Sequence, residues 1–172
     1  MPTGCISFRR VVVSPHKCPD WEIDNREVSF SDLFVNLFSI VNFPHFFYIQ
    51  EEIRFLICPE MLISCLLCEW MDDHEAIIIV GAQRYSSYTG YEPVDKFGRI
   101  KCEVVAVDAL CFGWGRLTYS SQYDQVIINR ELNKAFAGFY STQKMCRPIA
   151  TGHWGCGAFG GDKQLKSEIR IP

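Results

Sequence analysis

The sequence predicts an α/β fold with a mainly parallel or mixed sheet flanked by helices. Continuous β-branched runs at Ala76 to Val80 and at Val104 to Val107 are short and apolar enough to be strands buried on both faces. Helical periodicity precedes the first run and follows the second, and a strand-like Ile149-Ala150-Thr151 leads into a glycine-rich connection and another helix.

Order is weakest at the start. Arg10 to Val13 reads as a short strand, Ser14-Pro15 and Cys18-Pro19-Asp20 are turn formers, and Trp21 to Ser31 is polar and irregular, so residues 1–40 are expected to be a poorly defined N-terminal segment. From Ile49 the apolar positions Ile53, Leu56 and Ile57 fall at helical spacing opposite Gln50, Glu51 and Arg54. Pro59 ends that helix and opens the next, whose apolar positions Met61, Leu62, Cys65 and Leu66 are expected to face inward. Asn129 is a candidate cap for a helix from Arg130 to about Phe139 with Leu132, Phe136 and Phe139 inward and Gly138 near its end. Asp162 is a candidate cap for a last helix through Ile169. No repeat, low-complexity tract or linker divides the chain.

The 172 residues are 48% hydrophobic and 14% aromatic, enough for one packed domain. Seventeen basic residues against 20 acidic ones give a formal charge of -3, which excludes the broad basic footprint of sequence-independent duplex binding. The most apolar stretches, Phe30 to Ile49 and Ile53 to Cys68, are interrupted by polar residues and proline, and neither reads as a membrane span. No apolar run precedes Arg9 and Arg10, so no secretory signal peptide is visible. The 9 cysteines are dispersed, as suits a reducing compartment. Cys65 and Cys68 lack a second pair, and a buried helix face is preferred for them over half of a zinc site.

Three segments could carry chemistry. Gln50-Glu51-Glu52 sets two carboxylates at a helix start, where plain capping competes with a catalytic role. Adjacent helix positions diverge by about 100°, so the two cannot flank a scissile bond as paired glycosidase carboxylates do; one would be the acid and the other would hold the substrate. Thr151 to Asp162 clusters glycines between a strand and a helix cap, which exposes backbone N–H groups to a phosphate. An ordinary flexible connection is the alternative, against which stand Trp154 and Phe159, flat surfaces on which a base or ribose could stack. The segment matches neither the Walker pattern nor the dinucleotide fingerprint. Tyr85 to Tyr91 follows a candidate strand and would place Tyr85, Tyr88 and Tyr91 near a carboxyl end, where α/β proteins collect ligands. His74, between acidic residues and a strand, reads as solvated, and no hydrolase triad or Gly-x-Ser-x-Gly elbow is present.

Taken together, Gln50 to Phe55, Cys58-Pro59-Glu60, Tyr85 to Tyr91, Val105 to Leu110, Arg130 to Ala135 and Thr151 to Asp162 resemble poly(ADP-ribose) glycohydrolase in order and approximate spacing. The resemblance implies a macrodomain-like α/β core over residues 41–172, incomplete at both ends, that cleaves the ribose–ribose O-glycosidic bond of poly(ADP-ribose). It implies that Glu52 protonates the leaving oxygen, that Glu51 positions the ribose and that Gln50 contacts the substrate. Tyr88 would pack on the ligand, Trp154, Gly155, Cys156, Gly157 and Ala158 would line its diphosphate, and Phe159 would stack near the terminal sugar or base. No metal or cofactor is implied. The partners implied are poly(ADP-ribose), ADP-ribose and poly(ADP-ribosyl)ated proteins, in the nucleus or cytoplasm and in the DNA damage response, with no membrane and no duplex nucleic acid.

The sequence also departs from that pattern. Before its Gln-Glu-Glu signature the family carries an aspartate, an asparagine and a Gly-Gly-Gly loop, whereas here Asn42 and His45 hold the first two places and Phe46-Phe47-Tyr48-Ile49 runs straight into Gln50. His153 replaces an asparagine. Side chains in place of glycines oppose close backbone approach to a phosphate, so a catalytically inactive ADP-ribose-binding module is the alternative expectation.

Overall fold

The computed structural model of the chain describes residues 4–19, 36–38, 50–86, 94–113, 116–139 and 152–170, with 36–38, 50–52 and 168–170 described as backbone. Strands β1 (Ser7–Val12), β2 (Asn36–Phe38), β3 (Glu75–Val80) and β4 (Glu103–Ala106) form a four-stranded sheet in the order β1-β3-β4-β2. β3 is antiparallel to both neighbours, Phe8 facing Ile79 and Ile78 facing Val105, while β2 runs parallel to β4 with Leu37 opposite Val105. The sheet is mixed. Both of its edge strands come from the first 40 residues, where the sequence promised little order: a strand as short as Asn36–Phe38 carries no readable periodicity of its own.

β3 is continuous in apolar residues because helices cover both of its faces. Ala76 and Ile78 join Val105 and Val107 on one face, under α3 (Gln125–Phe139). Ile77 and Ile79 join Val104 and Ala106 on the other, beneath α1 (Gln50–Ile57) and the 3-10 turn Pro59–Ile63. α3 approaches closely through small residues. A Cβ on Gly138 would stand 3.0 Å from Val105 Cγ1 and 3.1 Å from Val107 Cγ1, so this glycine serves helix-to-sheet contact and not a helix end. Gly138→Val is expected to lower the unfolding free energy by about 1–3 kcal/mol through overpacking, as read by urea denaturation.

Other boundaries differ from expectation. α3 begins at Gln125, and Asn129 lies inside it, its Oδ1 accepting from Gln125 Nε2 at 2.8 Å instead of capping. Pro59 opens a 3-10 turn, followed by the single turn α2 (Ser64–Leu67). A 3-10 turn repeats every three residues, which selects Cys58, Met61 and Ser64 for the interior, all 0% exposed. The 3.6-residue period expected there selects Leu62, Cys65 and Leu66, and these are exposed. Cys65 therefore does not belong to a buried face, and no metal-ligating cluster occurs among the described residues. His74 is half-buried, its Nδ1 buried without a hydrogen bond, instead of solvated. Ile149-Ala150-Thr151 lies outside the described residues.

Candidate functional site

The glycine-rich segment folds as nested turns. Trp154 N donates to Gly152 O at 3.1 Å, Cys156 N to His153 O at 3.0 Å, Gly160 N to Gly157 O at 3.0 Å and Gly161 N to Gly155 O at 2.9 Å. Gly155 and Gly160 have φ of +71° and +69°, a region that penalises any side chain. The loop is fastened to the chain beyond β4, where Phe112 N and Gly113 N both donate to Phe159 O, at 2.6 and 3.0 Å. Its far end opens α4 (Lys163–Arg170), where Asp162 acts as the expected cap, Oδ1 accepting from Leu165 N at 2.9 Å. That bond, joined by the Tyr119 hydroxyl on Oδ2 at 2.9 Å, holds Asp162 below the usual carboxylate range.

Two glycines of the loop differ in what surrounds them. A Cβ on Gly155 would lie 2.8 Å from Ala109 Cβ, whereas no atom of the described residues stands within 4 Å of the place a Cβ on Gly157 would take. Neither the Gly155 nor the Gly157 N–H makes a hydrogen bond among the described residues. Gly155→Ala is expected to cost about 1–3 kcal/mol of stability. Gly157→Ala, facing open space, should stay within about 0.5 kcal/mol of the parent while placing a methyl group where a phosphate would approach. Chemical denaturation of the two variants side by side checks the contrast.

Trp154 and Phe159 carry their rings inward. They are 6% and 8% exposed and belong to the core under α3, because burying each ring is favoured over leaving it on a mobile turn. Stacking on a ligand would require the ring to turn out of the core. The exposed parts of the loop are Gly152, His153, Gly157 and Ala158, and Cys156 is half-buried, its thiol donating to Trp154 O at 3.5 Å.

Gln50, Glu51 and Glu52 form the first turn of α1. Parallel strands β2 and β4 leave the sheet at one edge: β4 continues to Ala109 and Phe112 against the glycine-rich loop, and β2 precedes α1 in the chain. The opposite end of α1 is fixed at the other edge, where Ile57 O accepts from Tyr85 N at 3.0 Å just beyond the end of β3.

Tyr85 is placed differently from expectation. β3 runs against β4, so its carboxyl end lies at the edge away from the glycine-rich loop, and the Tyr85 hydroxyl donates to Glu60 Oε1 at 3.4 Å. Arg99, 7% exposed, joins that cluster by donating to Glu60 Oε2 at 3.0 Å and to Gly81 O at 2.6 Å. Tyr88 and Tyr91, like Asn42, His45 and Phe46-Phe47-Tyr48-Ile49, lie outside the described residues.

Beneath the loop lies a buried charge network that hydrophobic periodicity did not reveal. Asp108, just past β4, pairs with Arg130 and with Lys134, whose Nζ is 2.5 Å from Asp108 Oδ1 and donates to Glu75 O at 3.0 Å. Arg130 also reaches Asp73 Oδ1 at 2.9 Å and Glu131 Oε1 at 2.6 Å. The other Glu131 oxygen pairs with Lys166 of α4. Lys134, Glu131 and Lys166 are 0%, 1% and 4% exposed. Arg130 to Ala135 is one of the segments that carries the resemblance, and that was the available signal for it.

Helices on both faces of a mixed sheet, with a glycine-rich loop at the end of a parallel strand, define a layered α/β domain of the macro-domain class. The chain belongs to the poly(ADP-ribose) glycohydrolase family, whose model, described as poly(ADP-ribose) glycohydrolase with a macro domain fold, matches residues 45–171. It is 45% identical to poly(ADP-ribose) glycohydrolase 1 of Caenorhabditis elegans over 145 residues, covering 72% of this chain and 19% of that protein. It is 40% identical to poly(ADP-ribose) glycohydrolase 2 of the same organism over 147 residues, covering 72% of this chain and 30% of that protein. A probable poly(ADP-ribose) glycohydrolase 2 of Arabidopsis thaliana is 30% identical over 249 residues, covering 96% of this chain and 46% of that protein. The chain thus spans less than half the length of these curated relatives.

Proposed function

We propose that this chain hydrolyses the ribose–ribose O-glycosidic bond of poly(ADP-ribose), with Glu52 as the acid, Glu51 and Gln50 holding the ribose, and the Gly155 and Gly157 amides on the diphosphate. The observation that carries this reading is a glycine-rich loop fastened beyond β4 whose Gly155 and Gly157 amides make no hydrogen bond among the described residues, in a chain whose residues 45–171 match the poly(ADP-ribose) glycohydrolase family. A phosphate seated on backbone donors beside an acid fixes the leaving ribose, and its charge helps to stabilise an oxocarbenium-like transition state. Tyr88 packs on the ligand in this proposal. Poly(ADP-ribosyl)ated proteins would be the substrates, in the nucleus or cytoplasm and within the response to DNA damage. Nothing in the chemistry calls for a membrane, duplex nucleic acid, metal or organic cofactor.

The test is incubation of the purified chain with poly(ADP-ribose), followed by chromatographic measurement of free ADP-ribose. Release supports hydrolysis. Saturable binding of the polymer with no release would replace hydrolysis by the binding-module alternative, and neither binding nor release from a cooperatively melting sample would remove both.

A further inference from the structure

We propose that Lys166 is a positioning residue for the glycine-rich loop: its buried ammonium, clamped by Glu131 and lying on the Trp154 ring, holds the Gly155 turn in the form that leaves the Gly155 and Gly157 amides open. As a statement about loop order it stands on the structure, and its consequence for ADP-ribose rests on the function proposed above.

Lys166 sits on the second turn of α4, and its N–H donates to the capping residue Asp162 at 3.0 Å. From there the side chain runs inward under the loop. Its Cε would be 3.7 Å from a Cβ on Gly155 and 3.4 Å from one on Gly161, the residues joined by the Gly161 N to Gly155 O bond. The Nζ ends 4.4 Å from the Trp154 ring centroid, a cation–π distance, and pairs with Glu131. Glu131 is itself fixed by Arg130, and Arg130 by Asp108 at the end of β4, so the loop is tied through charged groups to the strand that sets the site's edge.

A purely packing role would be served more cheaply by an apolar side chain, because a desolvated ammonium costs several kcal/mol before pairing. Burial, then the charge of Arg130, lowers the Lys166 ammonium, and the Glu131 carboxylate in contact with it opposes that shift and keeps the cation. The Trp154 indole Nε1 is buried with no hydrogen-bond partner among the described residues, so none of them holds the ring by its own polar atom. The ring is held instead by hydrophobic packing and by the cation on its face.

The experiment compares the parent with Lys166→Met/Glu131→Gln, which removes the cation without stranding a buried carboxylate, and with Lys166→Arg, which keeps a cation. Amide hydrogen–deuterium exchange of residues 152–161 reports the loop directly, thermal melting reports the fold, and ADP-ribose titration calorimetry reports the consequence. The double variant is expected to melt within a few degrees of the parent yet exchange its loop amides at least tenfold faster, with α3 still protected, and to lose at least tenfold in ADP-ribose affinity. Lys166→Arg should retain loop protection and affinity within about threefold. A double variant with the parent's loop exchange would overturn the proposal, as would a Lys166→Arg variant whose loop amides exchange at least tenfold faster than the parent's; the second criterion stands even where the double variant fails to fold. Should the parent itself bind no ADP-ribose, the proposed function fails and the loop exchange alone decides the role of Lys166.

Discussion

Glu52→Gln is expected to lower the release of ADP-ribose from poly(ADP-ribose) by at least about a hundredfold while binding of the polymer persists, because glutamine keeps the shape and hydrogen bonding of the side chain and loses the transferable proton. The glycosidic oxygen is a poor leaving group unless it is protonated as the bond breaks, and Glu51, the neighbouring residue in the same helical turn, is not spaced to act from the far side of the sugar, since adjacent helix positions diverge by about 100°. Glu51→Gln is expected to raise KM more than it lowers kcat, since a residue that orients the ribose acts on ground state and transition state alike. The helix N-terminus favours an ionised carboxylate, so the acid must draw its proton affinity from apolar cover or from the charge of the bound diphosphate. Single-turnover assays at saturating polymer, run with binding measurements on the same preparations, separate the two variants. A Glu52→Gln protein that releases ADP-ribose at the parent rate would remove the proposed chemistry.

The central strands and the helix of the acidic turn were legible because their signals are local: Ala76 to Val80 and Val104 to Val107 are apolar runs that need cover on both faces, and α1 and α4 repeat at 3.6 residues. The face that α3 turns to the sheet was not legible by the same rule. It is made of Glu131, Lys134, Ala135 and Gly138, two charges that find buried partners and two residues small enough for close approach, while the bulkier Leu132 and Phe136 are only half-buried. Periodicity counts apolar side chains and assigns charges to solvent, so a face built from paired charges and small residues is invisible to it. The burial of the Trp154 and Phe159 rings was not legible either, because aromatic content does not say on which side of a turn a ring falls. Placement of the Tyr85 segment needed the sheet's strand directions, which no single segment encodes. The Arabidopsis alignment, at 249 residues, is longer than the chain's 172, so that relative carries segments this chain skips.

Asp108→Asn is expected to destabilise the protein by about 3–5 kcal/mol at pH 7, since it removes the carboxylate that answers two buried cations. Lys134 is 0% exposed, and the Arg130 side chain is 10% exposed, so neither can recover its hydration by moving to the surface. The asparagine preserves volume, which makes the loss one of charge and not of packing. Burial works to raise the Asp108 carboxyl, but the charges and hydrogen bonds of Arg130 and Lys134 outweigh it, and the net position is below the usual carboxylate range. A carboxylate lowered on folding contributes stability that is fully present above its unfolded value, about 4, and is lost as pH falls through the folded one. The parent should therefore lose stability between about pH 4 and more acid conditions, and the Asp108→Asn protein should decline less steeply over the same interval. Adding Lys134→Met should restore part of the loss at pH 7, because one stranded cation is then gone. Urea denaturation of the parent and of the single and double variants, at pH 7 and at steps down to pH 3, reads all of these differences. An Asp108→Asn protein within about 1 kcal/mol of the parent at pH 7 would mean that water already reaches Arg130 and Lys134, and that the charges beneath the loop do not bind β4 to α3.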